Sequence, residues 1–143
     1  MARITLATTI DAQPADIVKA LDSAEGIAGF WTEDVAYDGV GGNLVAGFAD
    51  APAPFRFHVA EASSNKVRWT NIGEYPPFFV DTEVTWSVAP APDGSGTMVH
   101  FTHDGWASDD MPMPAIAYVW AQVLESLKSY VETGKGSPLH TVA

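Results

Sequence analysis

Histidine is the side chain whose ordinary pKa places a charge change near neutral pH, and the chain carries four of them. One, His103, is placed where that matters. Val99, Phe101 and His103 alternate with Met98, His100 and Thr102, which is the two-residue period of a strand. His103 therefore points with Val99 and Phe101 toward an apolar interior. An imidazole there can orient a carbonyl or carboxylate of a ligand. It can act as a general base. It can also be a core histidine bonded to a backbone carbonyl or a buried water. The residues alone leave all three roles open. His100 and His103 form H-x-x-H, but positions three apart on a strand face opposite ways, so no shared metal is expected. His58 and His140 have no clustered partners.

Other catalytic chemistries find little support. There is no cysteine, hence no thiolate nucleophile, disulfide framework or Cys-ligated zinc. A nucleophilic serine needs a histidine base and an orienting acid. Ser87 projects with the outward set of its strand, and Ser126 lies at the edge of a helix's apolar face. Neither has that context. No His-Glu helix pair, phosphate loop or dinucleotide glycine run is present. Gly39-Val40-Gly41-Gly42 lacks the flanking strand and helix and reads as a turn. Asp109 and Asp110 are adjacent carboxylates, expected to cap the following helix through its N-terminal dipole rather than to work as an acid/base pair. No catalytic residue, metal or cofactor is assigned.

The net charge of −11 argues against a nucleic-acid or anionic-membrane partner and leaves an acidic patch recruiting a basic protein as an alternative. Residues 1–5 alternate polar and apolar, unlike a signal peptide, and no apolar run approaches the ~20 residues of a membrane span. The cytoplasm is the expected location.

The elements that must position His103 follow from periodicity. From Met113 to Thr133, the residues Ile116, Val119, Trp120, Val123, Leu124, Leu127, Tyr130 and Val131 share one side of a helical wheel. Gln122, Glu125, Lys128, Ser129 and Glu132 share the other. This is a long amphipathic helix with a broad, partly aromatic buried face, stopped by Gly134 and Gly136. Upstream, Ile4, Leu6, Thr8 and Ile10 alternate as a first strand. Pro14 suits the first turn of a short helix through Leu21. Asp22 or Ser23 can cap a second over Glu25 to Phe30, which Gly26 and Gly29 weaken.

Short strands follow around Val35-Tyr37, Leu44-Phe48, Phe55-Val59, Val67-Trp69, Val80-Val88 and Met98-His103. Short links make neighbours antiparallel, and one apolar face per strand means one covered face of the sheet. The expected architecture is α+β, with a curved antiparallel sheet of about seven strands around the long C-terminal helix. One domain is expected over residues 1–136, with 137–143 as a tail.

The chain carries seven Phe, five Trp and four Tyr, and rings of that size line cores and pockets alike. Trp69, Trp86, Trp120, Phe55, Phe57 and Phe101 fall on apolar faces. Phe30, Trp31, Phe78 and Phe79 are expected at the mouth of a pocket, because an exposed Pro-Pro-Phe-Phe is costly unless it packs or binds. The proposed ligand-binding set is Phe30, Trp31, Phe57, Trp69, Phe78, Trp86, Phe101, His103, Trp120 and Leu124.

Several stretches resemble a known superfamily. Residues 10–21, IDAQPADIVKAL, and 25–31, EGIAGFW, look like the opening of the SRPBCC, or START-like, superfamily. Residues 99–106, VHFTHDGW, and 124–134, LESLKSYVETG, are similar to its branch named after activators of heat-shock-protein-90 ATPase. The resemblance implies a helix-grip fold, with two small helices after strand one and a cavity between sheet and C-terminal helix. It also implies apolar ligands such as lipids, sterols or polyketides, and in some members a chaperone partner. No residue matches a cyclase acid or base motif. Non-enzymatic binding of an apolar small molecule is the first expectation. A chaperone-associated or other protein-interaction module is the second, and a cyclase or dehydratase using His103 the third.

Overall fold

The computed structural model describes residues 2–139; His140 and the rest of the expected tail, 140–143, lie outside the described residues. The order is β1 (Ala2–Ile10), α1 (Pro14–Leu21), α2 (Ala24–Phe30), β2 (Val35–Tyr37), β3 (Asn43–Ala46), β4 (Phe55–Ala62), β5 (Lys66–Asn71), a 3-10 turn (Pro77–Phe79), β6 (Glu83–Pro90), β7 (Thr97–Trp106) and α3 (Met113–Thr133). The strands form one seven-stranded antiparallel sheet in the order β1-β7-β6-β5-β4-β3-β2. Only β1 is placed out of chain order, so that β7 closes against it. The architecture is α+β helix-grip, as the periodicity and the resemblance predict.

The long helix runs over the predicted residues. Its buried side is Trp120, Val123, Leu124, Ser126 and Leu127, and Gly134 ends it in the left-handed conformation at φ 85°. That geometry costs glycine nothing and lets the Gly134 N–H reach Tyr130 C=O at 2.8 Å. Trp120 meets the sheet through Phe101 (ring centroids 4.8 Å apart) and Trp86 (6.2 Å). At its far end Lys128 reaches the Thr9 carbonyl at 2.5 Å, and Glu132 accepts from the Asp11 N–H at 2.8 Å. These contacts cover backbone groups of β1 and its exit that no neighbouring strand meets, and the Asp11 N–H and Lys128 together hold the Glu132 carboxyl below the usual range.

Helix α2 forms despite its two glycines, and the reason is contact distance. A Cβ on Gly26 would stand 2.1 Å from Ala20 C=O, and one on Gly29 would stand 2.2 Å from the Tyr130 ring. The glycines let α1 and α3 approach closely, which offsets the ~1 kcal/mol each costs in helix propensity. Ser23 caps the helix, its hydroxyl accepting from Gly26 N–H at 3.0 Å. Tyr37 donates to the Asp22 carboxylate, which ties β2 to the α1–α2 link; burial first, and that carboxylate second, push the Tyr37 phenol's pKa up.

Three local expectations need correction. Asp109 and Asp110 do not cap α3 with their side chains: the N-cap is Pro112, and Asp110 contributes only its carbonyl, to Met113 N–H at 3.1 Å. Pro114 in the first turn has no N–H, so fewer donors await an acidic partner. The strand expected from Val80 begins at Glu83. Before it, Thr82 Oγ1 donates to Phe79 C=O at 2.6 Å and holds the chain in a turn, a local side-chain bond that competes with a ladder. The strand expected through Phe48 ends at Ala46, where Gly47 turns to bond Asp34 and Thr32.

Candidate functional site

The interior divides at Trp120. On the sheet side lies a filled aromatic core. Trp86 packs edge-on against Phe30 (6.1 Å), Phe101 (4.8 Å) and Trp69 (5.7 Å). Leu124 and Leu127 complete it from α3. His103 is fully buried in this mass, on β7 between Ile4 of β1 and Val84 of β6.

The hydrogen bonds of His103 fix its chemical state. Trp120 Nε1 is 3.0 Å from His103 Nδ1, and an indole nitrogen can only donate. Nδ1 is therefore the acceptor, and in the neutral ring the proton sits on Nε2. Nε2 lies 2.9 Å from Thr82 Oγ1, whose own hydrogen goes to Phe79 C=O. The four groups form a directed chain from α3 through β7 to the 3-10 turn. Burial, opposed weakly by Asp104, lowers the His103 pKa to about 3. Both ring nitrogens are occupied and the ring stays neutral at physiological pH. Of the three roles open to it, the geometry matches the core histidine, with side-chain partners in place of a carbonyl or water. His100 lies on the opposite, exposed face of β7.

On the other side of Trp120 the interior is not filled. A cavity of ≈ 210 Å³ is lined by Trp31, Phe48, Phe55, Phe79, Ile116, Val119, Trp120, Val123 and Leu139. All nine are apolar. Trp31 is one buried wall: it stacks on Trp69 (5.8 Å, 11° between planes) and leans on Trp120 (5.4 Å), Phe48 (5.7 Å) and Phe57 (6.2 Å). Phe55 closes another side against Phe48 (4.9 Å) and Phe79 (5.2 Å).

Of the ten residues proposed from sequence, Trp31 and Trp120 line this cavity. Phe57 and Trp69 back Trp31 from behind. Phe30, Trp86, Phe101, His103 and Leu124 sit in the filled core. Phe78 is 37% exposed and stacks on Trp106 (5.6 Å, 17°); its neighbour Phe79 is the one that turns inward. The lining residues outside that set are Phe48, Phe55, Phe79, Ile116, Val119, Val123 and Leu139; of these, Phe79 is expected from the sequence at the pocket mouth and Phe55 on an apolar strand face. Three of these, on α3, belonged to its apolar face and were legible. Phe48 keeps the alternation of Leu44 and Ala46 although the strand ends at Ala46; Leu139 stands outside any element, where no period marks an inward side chain.

Leu139 reaches the cavity because the chain after α3 folds back. Ser129 Oγ donates to Lys135 C=O (2.6 Å), Ser137 N–H donates to Ser126 Oγ (2.7 Å), and Leu139 N–H donates to Trp31 C=O (2.8 Å). Ser126 in turn donates to Phe30 C=O at 2.7 Å. The carbonyls of Phe30 and Trp31 are ends of α2 left without helical partners, and these contacts satisfy them.

The fold is a helix-grip sheet with an apolar hollow beside its long helix. Residues 1–132 match the family described as polyketide cyclase/dehydrase and lipid transport, and the chain belongs to that family. Among solved structures it is similar to Aha1 from Colwellia psychrerythraea, determined in solution as a dimer: 30% identity, TM-score 0.84, covering 95% of this chain and all of that one. It shares its fold with protein SSP2350 from Staphylococcus saprophyticus (17% identity, TM-score 0.78, 98% of each chain). It shares it also with the AHSA1-like protein from Aeromonas hydrophila (20% identity, TM-score 0.69, 99% of this chain and 100% of that one). No curated protein matches the chain. Among the described residues no helix is long and apolar enough to cross a membrane.

Proposed function

We propose that this protein binds an apolar small molecule, without transforming it, in the cavity between α3, the end of α2 and the β3–β4 region. The observation that carries this is the lining: nine apolar side chains around unfilled space that runs from the surface to buried Trp31, Phe79, Trp120 and Val123. Such space forfeits dispersion contacts that a ligand would restore. The absence of free polar atoms on the walls favours a hydrocarbon-like or aromatic surface over a charged one. At ~25 cal/mol per Å², burying ~200 Å² of ligand yields about 5 kcal/mol before association costs, so weak to micromolar affinity is the expected scale. The occupied nitrogens of His103 speak against its use as a base.

The test is a melting-temperature panel: naphthalene, indole, fatty acids, sterols and aromatic polyketides. A binder at ten times its Kd adds about 1.4 kcal/mol and raises the Tm by a few degrees. A flat response across the panel removes the proposal. A second reading, a protein-interaction module of the chaperone-associated kind, draws on the likeness to the Colwellia Aha1 dimer and on the net charge of −11. It expects a complex with a basic partner that dissociates as salt rises; co-purification insensitive to salt, or none, counts against it.

A further inference from the structure

Three walls of the cavity are regular structure or are braced by it. The fourth is a strap, residues 135–139. Its anchors are alternate backbone groups, Lys135 C=O, Ser137 N–H and Leu139 N–H, held by Ser129, Ser126 and Trp31. It lies so close to α2 that a Cβ on Gly136 would stand 2.4 Å from Gly29 C=O. The strap contributes one side chain to the cavity, Leu139, which is 41% exposed and so straddles the rim. Every other wall side chain is set by α3, by the aromatic stack or by the 3-10 turn. Leu139 is set by one backbone hydrogen bond and by a chain that is attached on the far side of Gly136.

We propose that the strap is the gate of the cavity and that Leu139 sets the size of molecule admitted. It rests on the reading that the cavity binds an apolar ligand. With the strap docked, ≈ 210 Å³ suits a molecule of roughly ten carbons, since a cavity of about 150 Å³ takes benzene. The mouth is already partly open to solvent with the strap docked, so Leu139 limits size and not access: a larger apolar molecule is accommodated only when Leu139 leaves the rim. Release frees the Ser137 and Leu139 N–H groups to water and takes the partner from the Trp31 carbonyl, which water must then meet; the Ser126–Phe30 bond does not depend on the strap.

Two apolar probes of different size test this on the full chain. Naphthalene fits the docked cavity; phenyl-naphthylamine carries a further ring and fluoresces when sheltered from water. Leu139→Ala shortens the gate. Ser137→Pro removes the N–H that Ser126 accepts, and Leu139→Trp fills the rim. Naphthalene, followed by calorimetry, is expected to bind wild type, Leu139→Ala and Ser137→Pro alike, and Leu139→Trp weakly. Phenyl-naphthylamine is expected to bind Leu139→Ala and Ser137→Pro roughly ten-fold tighter than wild type. If naphthalene binds and phenyl-naphthylamine shows one affinity across wild type and both gate variants, the gate is wrong and the cavity reading survives. If neither probe binds any form, the cavity reading fails and the gate with it. Far-UV circular dichroism of each variant separates lost binding from lost fold, and the two gate variants act on different atoms, so one misfolded protein leaves the other to decide.

Discussion

The two sides of Trp120 are built from the same kinds of residue and end in opposite states. Toward β6 and β7, Trp86, Phe101, Phe30 and His103 fill the space under the helix. Toward β3, β4 and the strap, Trp31, Phe48, Phe55 and Leu139 surround space that stays open. The filled side is furnished mainly by strands, whose side chains arrive every second residue at fixed spacing. The open side shares the face of α3, through Ile116, Val119, Trp120 and Val123, and takes Phe55 from β4. Its remaining walls, Trp31, Phe48, Phe79 and Leu139, come from a helix end, a loop, the 3-10 turn and the strap. The hollow lies where side chains from outside the strands and the long helix meet the face of α3.

The comparison can be broken by mutation. Trp120→Ala should cost about 3–5 kcal/mol, the range for deleting a large buried ring, in urea-unfolding free energy. Part of that loss comes from the filled side, because His103 Nδ1 is left without a donor. A cost near that of a surface change would mean the core is not tight. Next, Thr82→Val removes the acceptor of the His103 Nε2 proton and the donor to Phe79 C=O. About 1–3 kcal/mol of lost stability is expected for the orphaned buried groups; a neutral result would mean that water reaches the site.

The third prediction uses acid. With its pKa lowered to about 3 in the fold and near 6.5 unfolded, His103 binds its proton in the unfolded chain first. Its contribution is therefore fully present above about pH 6.5 and is lost as pH falls toward 3, at up to about 1.4 kcal/mol per pH unit. Paired unfolding curves of wild type and His103→Gln between pH 4 and 7 should converge as pH falls; parallel curves would show that the ring titrates normally. The smallest effect belongs to the open side. Val119→Ala should cost less than about 1 kcal/mol, because the side chain already faces unfilled space, while the enlarged hollow should accept bulkier members of the ligand panel. If Val119→Ala costs as much as Thr82→Val, the two sides are not different in kind.

Much of this was legible in the residues. The 3.6-residue recurrence from Ile116 to Val131 marks α3, and alternation marks the strands and the inward turn of His103. What escaped was decided by contacts between distant or irregular segments. Thr82 and Trp120 stand 21 and 17 residues from His103, so their bonds to it leave no local pattern. Gly26 and Gly29 read as liabilities until Ala20 and Tyr130 are seen against them. Asp109 and Asp110 looked like a cap because the proline-rich start of α3 hides how few donors it presents. Leu139 looked like part of a tail, because nothing in its neighbours shows that Trp31 holds it.

The bonded chain from Trp120 through His103 and Thr82 to Phe79 bears on how the molecule would report a visitor. Each link has a single partner and a fixed polarity, so α3 is keyed to the sheet and cannot slide by a turn without stranding a buried proton. A guest in the hollow must then be accommodated by the parts that are not keyed. Its arrival would be announced at the rim and along the strap, while the sheet beneath keeps its shape.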